Sequence, residues 1–215
     1  MAGGRGERMG GDTPKQFLAL LGKPVLVHTV QRFQRALPDA RIVVAVPPGY
    51  PKTWRTVARA HGLRADACEG GESRFASVRN ALHALGPCEY VMVHDGVRPL
   101  VSEALINRML GAATHSGAAI PVTKPVDSYR VAGDDGASEP IDRRTLRAVQ
   151  TPQVFRYDIL TAAYARPFDP SFTDDASVIE SAGFGIDLEE GDPMNIKITT
   201  PVDLELVQFL MGKGC

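Results

Sequence analysis

Arg41-Ile42-Val43-Val44-Ala45-Val46-Pro47-Pro48 is a short, unbroken apolar run closed by two prolines. An apolar run of this length, with no polar alternation, reads as a strand buried on both faces. Proline cannot donate to a ladder, so the pair ends it. On either side the period changes. Residues 25–37 carry Val27, Val30, Phe33 and Leu37 at helical spacing, and 52–61 reads as a second helix. The same exchange continues along the chain. A weaker strand over 63–68 precedes a helix that Ser73 can cap, with Phe75, Val78, Leu82 and Leu85 as its apolar positions. Residues 90–94 form the next strand. Ser102 caps a helix with Leu105, Ile106, Met109 and Leu110 inward, and 118–122 is another strand. Strands that alternate with helices predict an open, mostly parallel, doubly wound α/β sheet.

Two places break the rhythm. Between 126 and 149 no helical period appears, and two polar, extended segments flank the turn signal Gly133-Asp134-Asp135-Gly136. This predicts a β-hairpin arm too poor in apolar residues to bury itself, hence one that packs on a partner subunit. Beyond it we expect helices near 158–165 and after Thr173, a strand ending near Thr199, and a helix over 202–211. The second break is at the start. A glycine-rich loop follows the central strand in folds of this class, yet only Met1 and Ala2 precede the glycines. Without that strand the ladder groups of both neighbours would lie open. Upstream residues outside this numbering, a strand supplied otherwise and an impaired form are all consistent with that reading.

The chain of 215 residues is 44% hydrophobic and 23% charged, which suits one globular domain over 1–215 with 126–149 as its arm. A net charge of −1 argues against broad nucleic-acid or membrane-surface binding. There is no apolar run of bilayer length and no visible signal peptide, so a cytoplasmic location is expected. Cys68, Cys88 and Cys215 are odd in number and lack metal spacing, which points to reduced thiols without zinc.

Chemistry concentrates where strands end. The opening Ala2-Gly3-Gly4-Arg5-Gly6-Glu7-Arg8-Met9-Gly10-Gly11, followed by Pro14-Lys15-Gln16, can bring backbone N–H groups onto a phosphate, with Arg8 and Lys15 supplying charge. No glycine-lysine-hydroxyl run follows, so it is not the common P-loop. His94-Asp95-Gly96-Val97-Arg98-Pro99 ends a strand. Asp95 there can bind a divalent cation or a sugar, and Arg98 a phosphate, although a plain Asp95–Arg98 turn contact explains the pair equally well. His94 reads as a packed strand residue. Gly70-Gly71-Glu72-Ser73-Arg74 enters a helix that carries Ser77. Asn195-Ile196-Lys197-Ile198-Thr199 sets a lysine in an apolar strand, where it is costly unless paired. Arg8, Lys15, Arg98 and Lys197 converging at one end of a sheet would suit a highly anionic substrate pair.

In combination these motifs, with Thr151-Pro152-Gln153 and Thr173-Asp174-Asp175-Ala176-Ser177, make the chain resemble the 2-C-methyl-D-erythritol 4-phosphate cytidylyltransferases of isoprenoid precursor biosynthesis, from Ala2 to Met211. The resemblance implies a Rossmann-like nucleotidyltransferase fold and homodimers that exchange β-arms. It implies Mg²⁺-dependent transfer of CMP from CTP to a sugar-alcohol phosphate. Gly3 and Gly4 would wrap the CTP phosphates, with Arg8 and Lys15 on the triphosphate. Ala2, Gly71 and Ser77 would surround cytosine and ribose, and Asp95 would sit near ribose and metal. Lys197 would neutralise the reacting phosphates. Arg143 and Thr151 would reach across from the partner's arm to hold methylerythritol phosphate with Ser128, Thr173 and Arg98. Ser128 stands where the family's threonine is usual, keeping the hydroxyl, and Val97 replaces a common alanine.

Two other readings remain open on sequence. A ribitol 5-phosphate cytidylyltransferase shares most CTP motifs, although Asp142-Arg143 and the Thr173 segment favour methylerythritol. A nucleotide-binding module inactive through loss of its first strand fits the short start but not the retained Lys15, Asp95 and Lys197. A dinucleotide dehydrogenase fits poorly, because Pro47-Pro48 stands where an acidic ribose ligand would end the second strand.

Overall fold

A computed structural model describes residues 1–4, 13–134 and 136–213. In chain order it contains β1 (Ala19–Leu20), β2 (Lys23–Pro24), α1 (Val25–Ala36), β3 (Val43–Val46), α2 (Pro51–Ala60), β4 (Asp66–Glu69), α3 (Arg74–Leu85), β5 (Tyr90–Val93), α4 (Glu103–Ser116), β6 (Ala118–Thr123), β7 (Tyr129–Ala132), β8 (Ser138–Ile141), β9 (Ala148–Val149), β10 (Gln153–Arg156), α5 (Tyr157–Tyr164), α6 (Asp175–Ser181), β11 (Asp187–Glu190) and α7 (Pro201–Gly212). The expected helices form, and their caps are those the sequence offers. Ser73 Oγ accepts the Ala76 N–H at 3.0 Å and Ser102 Oγ accepts the Leu105 N–H at 3.2 Å. Each satisfies a donor that the first turn leaves unpaired.

The sheet runs β11-β6-β10-β5, with β9 also on β6, while β3 pairs in parallel with β4. Residues Met1 and Ala2 join these two parts. The Ala2 N–H donates to Ala45 O at 2.9 Å, the Met1 amine donates to His94 O, and the Gly96 N–H donates to Met1 O at 2.7 Å. Met1 thus lies parallel to the chain at Asp95 and occupies the strand position between β3 and β5.

Alternating residues of the strands feed two layers. Val91, Val93, Ile120 and Phe155 face α3, α5 and α6, where Val78, Leu160 and Ile179 pack on them. Ala119 and Val154 face α4, against Leu105, Ile106 and Met109. Helices therefore cover both faces, as a doubly wound sheet requires. A third cluster joins α1, α2 and β3 through Leu26, Val30, Val44 and the fully buried Trp54.

Two local expectations need correction. Gln153–Arg156 was not expected as a strand, yet β10 lies between β5 and β6, antiparallel to both. The sheet is therefore mixed, with parallel pairing kept at β3–β4 and β6–β11. No strand ends near Thr199. The segment there is irregular, tied to the body by the Ile198 N–H on Val97 O at 2.9 Å, and the strand lies earlier, at β11. The hairpin does form, with β7 antiparallel to β8 from Tyr129↔Ile141 to Ala132↔Ser138. Asp135 of its turn lies outside the described residues.

Candidate active site

β5 stops at Val93 and its continuation, His94–Arg98, turns beneath Met1 and Ala2. A side chain at Gly96 would put Cβ 2.8 Å from Leu26 Cδ1 and 3.2 Å from both Met1 O and Ala2 Cβ, so it would force its neighbours to shift where glycine fits as it stands. The turn presents Asp95, whose Oδ2 takes Lys197 Nζ at 3.0 Å and Arg98 Nε at 3.1 Å. Burial alone would raise the Asp95 pKa. Lys197 and then Arg98 overcome it and hold the carboxyl well below the usual range. Arg98 is itself buried, and its Nη1 donates to Asn195 O at 2.7 Å. The Asp95–Arg98 turn contact thus forms, with Lys197 sharing the same carboxylate oxygen.

Lys197 does not lie in a strand, contrary to expectation. It sits in the irregular 193–199 segment with its side chain 43% exposed, so its amine is paired on one side and open to solvent on the other. Lys15 Nζ donates to the carbonyl of the next residue, Ile198, at 2.9 Å. Lys15, Lys197 and Arg98 therefore converge on one rim. Arg8, expected with them, lies outside the described residues.

His94 sits beneath this rim and is buried. The Asp95 N–H donates to Thr151 Oγ1 at 3.1 Å, which leaves the hydroxyl proton for His94 Nδ1 at 3.0 Å. Nε2 faces Arg98 O at 3.3 Å and must donate to it. This pattern fixes the neutral Nε2–H tautomer. Burial pushes the imidazole down to about 3, and the Asp95 charge only partly offsets this. His94 is a neutral packing residue on Phe33, their ring centroids 4.8 Å apart.

Thr151 is placed differently from its expected role. It is buried within its own chain, with its hydroxyl on Asp95 and His94 and its carbonyl taking Asn195 Nδ2 at 2.7 Å. It does not cross with the arm. Its peptide to Pro152 is cis.

The glycine edge lies alongside. Ala2 is buried, and Gln16 Nε2 donates to Ala2 O at 2.6 Å and Gly4 O at 3.2 Å. Ser77 Oγ accepts the Gly71 N–H at 3.0 Å and donates to Ser73 O at 2.9 Å. A Cβ on Gly3 would come within 3.1 Å of that oxygen, and one on Gly71 within 2.4 Å of Ala76 Cβ. Ala2, Gly3, Gly71 and Ser77 thus form one close-packed wall. Ser128, Arg143 and Thr173 are exposed instead, and none has a described contact with the Asp95 cluster. Arg143 donates to Val126 O, and the Thr173 N–H donates to Ser177 Oγ at 3.1 Å.

Some residues that hold the site had no assigned role. Arg74 Nη2 pairs with the fully buried Asp175 Oδ2 at 2.5 Å, and Tyr164 donates to Oδ1 at 2.6 Å. Gln153 bridges Asp174 Oδ2 at 2.8 Å and the Ala176 N–H at 3.1 Å. All but Tyr164 lay inside quoted motifs, so the signal was present but its partner was not. As chemistry, the rim offers fixed cations around one hard oxygen donor. Among the described residues no three His, Cys, Asp or Glu side chains gather to cage a metal.

The sequence profile of 2-C-methyl-D-erythritol 4-phosphate cytidylyltransferase matches residues 1–213. The chain belongs to that family. Proteins of that name from Bacteroides fragilis and Porphyromonas gingivalis are each 43% identical to it, over 98% of this chain and 97% and 95% of theirs. The crystal structure of the Thermus thermophilus cytidylyltransferase superposes with a TM-score of 0.79 at 38% identity, covering 94% of this chain and 95% of that one. A 4-diphosphocytidyl-2C-methyl-D-erythritol synthase from Anaerococcus prevotii gives 0.83 at 26% identity over 98% and 95%. These relatives thus match the chain almost end to end.

Proposed function

We propose that this cytidylyltransferase transfers CMP from CTP to 2-C-methyl-D-erythritol 4-phosphate, releasing pyrophosphate, in isoprenoid precursor biosynthesis. Family membership supports the reaction. The observation that carries its mechanism is the Asp95 carboxylate held by Lys197 and Arg98, with Lys15 on the next carbonyl.

The acceptor is a phosphate monoester whose second pKa is about 6, so at neutral pH it is already largely a dianion. It needs no general base, which agrees with a neutral, buried His94. The obstacle is repulsion between two polyanions, roughly 4 kcal/mol for one unit pair at 4 Å and an effective dielectric near 20. Lys15 and Lys197 offset that repulsion and stabilise charge that builds at the α-phosphorus. An acceptor oxygen forms the new bond to that phosphorus, the α–β bridging bond breaks, and pyrophosphate carries the electron pair away. Arg98 fixes Asp95 and presents its remaining N–H groups. The glycine wall of Ala2, Gly3, Gly4, Gly71 and Ser77 receives the nucleotide, and Arg8 completes the triphosphate contacts.

Mg²⁺ fits Asp95. A single carboxylate plus substrate phosphates and waters is how that ion is commonly held, and a cage of acids is not needed. When bound it would supply further charge neutralisation at the phosphates. Ser128, Arg143 and Thr173 form the acceptor side. Ser128 and Arg143 flank the hairpin strands, and Val126, Tyr129 and Val131 of this arm are 82%, 44% and 59% exposed. That apolar exposure supports a homodimer in which the arm of one protomer reaches its partner's site. No described helix is long and apolar enough to cross a membrane, and the reading places the enzyme in the cytoplasm.

The assay supplies CTP, Mg²⁺ and either methylerythritol phosphate or ribitol 5-phosphate to the folded protein. Pyrophosphate should appear with the first and far more slowly with the second. A folded protein that releases none with methylerythritol phosphate refutes the reading.

A further inference from the structure

Arg74 opens α3, where the helix dipole disfavours a cation. Its partner is Asp175, the first residue of α6, whose side chain is wholly buried. Arg74 Nη2 donates to Oδ2 at 2.5 Å and the Tyr164 hydroxyl donates to Oδ1 at 2.6 Å, so both carboxylate oxygens are satisfied. Burial would lower the Arg74 pKa; the Asp175 charge and hydrogen bond overcome this, with smaller upward pushes from Tyr164 and Asp95. A buried ion pair holds two elements no more tightly than apolar side chains of like size would. What the planar guanidinium adds is a fixed direction.

The pair joins two stretches on different sides of the site. Gly71 lies three residues before Arg74 and Ser77 three after it, both in the nucleotide wall. Thr173, on the acceptor side, lies two residues before Asp175. Phe172, on its other flank, stacks on Phe75 with centroids 5.8 Å apart, and Phe75 stacks on Tyr164 at 4.7 Å. Thr173 is thus held to the start of α3 from both flanks. Its N–H and that of Asp174 donate to Ser177 Oγ at 3.1 Å and 3.2 Å, which fixes the backbone between them. We propose that Arg74 and Asp175 are positioning residues that lock the acceptor-side Thr173 to the nucleotide wall of Gly71 and Ser77, aligning the two substrates for in-line attack. The inference rests on the reaction proposed above. A misplacement of about 1 Å can cost about a hundredfold in rate, so loosening this clamp acts on kcat in a chain that still folds.

The test compares Arg74→Gln, Arg74→Lys and Met109→Ala with wild type. Met109→Ala opens a cavity in the α4 layer and reports the kinetic effect of lost stability alone. Arg74→Gln, shorter and uncharged, should lower kcat at saturating CTP and methylerythritol phosphate about tenfold or more. Arg74→Lys keeps the charge and should recover part of that loss. Met109→Ala should lower Tm and leave kcat within about twofold of wild type. The second readout needs no turnover. Cytidine 5′-(α,β-methylene)triphosphate with Mg²⁺ should slow amide exchange at both Gly71 and Thr173 of wild type about fivefold or more, and at Gly71 alone in Arg74→Gln. If Arg74→Gln does not fold, Asp175→Asn takes its place, removing the carboxylate charge at nearly unchanged volume. Near-normal kcat in the folded charge variant, or full protection of its Thr173, overturns the proposal and leaves the reaction standing. A wild type that neither releases pyrophosphate nor binds the analogue overturns both.

Discussion

Asp95 Oδ2 takes two cations, and the two are not equivalent. Arg98 is buried and tied to Asn195, so it builds the site. Lys197 keeps an exposed face, and Lys15 stands one carbonyl away. Lys197 pairs with a buried carboxylate, so Lys197→Ala should cost some stability as well as act on the reaction, whereas Lys15→Ala should act mainly on the reaction. We expect Lys15→Ala and Lys197→Ala each to lower kcat about a hundredfold or more, roughly 3 kcal/mol, with a smaller rise in KM for CTP. Steady-state kinetics beside a thermal melt checks this. A variant with near-normal kcat would show that its lysine serves only to close the turn. Because His94 is neutral throughout the working range, the pH–rate profile should carry no step from it between about pH 5 and 8. This part of the site was largely legible, since Asp95, Arg98 and Lys197 each stand in a motif whose chemistry is local. Thr151 was not. Its own-chain role depends on Asp95, His94 and Asn195, which are distant in sequence and meet it only after folding.

Elements divide in the same way. α1, α3 and α4 announce themselves through period and caps, and each forms within about a residue of expectation. β10 does not, because Gln153 and Arg156 frame only two apolar residues. Its place is secured by Gln153 bridging to α6, a tertiary partner. β11 reads Asp-Leu-Glu-Glu, an acidic edge that pairs because β6 offers a free side. The hairpin β7–β8 was legible from its turn, and its consequence is functional. If the arm crosses, Arg143 serves the partner's Asp95 cluster. Lys15→Ala and Arg143→Ala would each be inactive alone. Mixed under conditions that exchange subunits, they give heterodimers in which one site holds both defects and the other neither. Activity should then return toward half of wild type per heterodimer. If each arm serves its own chain, every heterodimer site keeps one defect and nothing returns. Proven exchange without recovered activity would end the crossed-arm arrangement.

For the whole molecule, the junction of the two sheet halves contributes to stability against pH. Met1 and His94 are both buried bases at that junction, lowered to about 6 and about 3 from ordinary values of 8.0 and 6.5. Between each pair of values the unfolded chain binds more protons than the folded one, so stability rises with pH. For His94 that window runs from about 3 to 6.5, and for the Met1 amine from about 6 to 8. Asp95 acts with the same sign lower down. Its pKa is depressed on folding, so its contribution is present above 3.8 and lost as pH falls. The 215-residue chain should therefore gain stability from acid up to pH 8 and level off above it. The Met1 step alone is about 2–3 kcal/mol for a shift of roughly two units. Acetylating the Met1 nitrogen removes that titration while keeping an N–H for His94 O. Denaturant melts at pH 5, 6, 7 and 8 should then show the acetylated chain flat between pH 6.5 and 8, its slope below pH 6.5 retained. If the acetylated and free chains keep the same slope between pH 6.5 and 8, the amine is solvated, and the two sheet halves are not joined through Met1 as described.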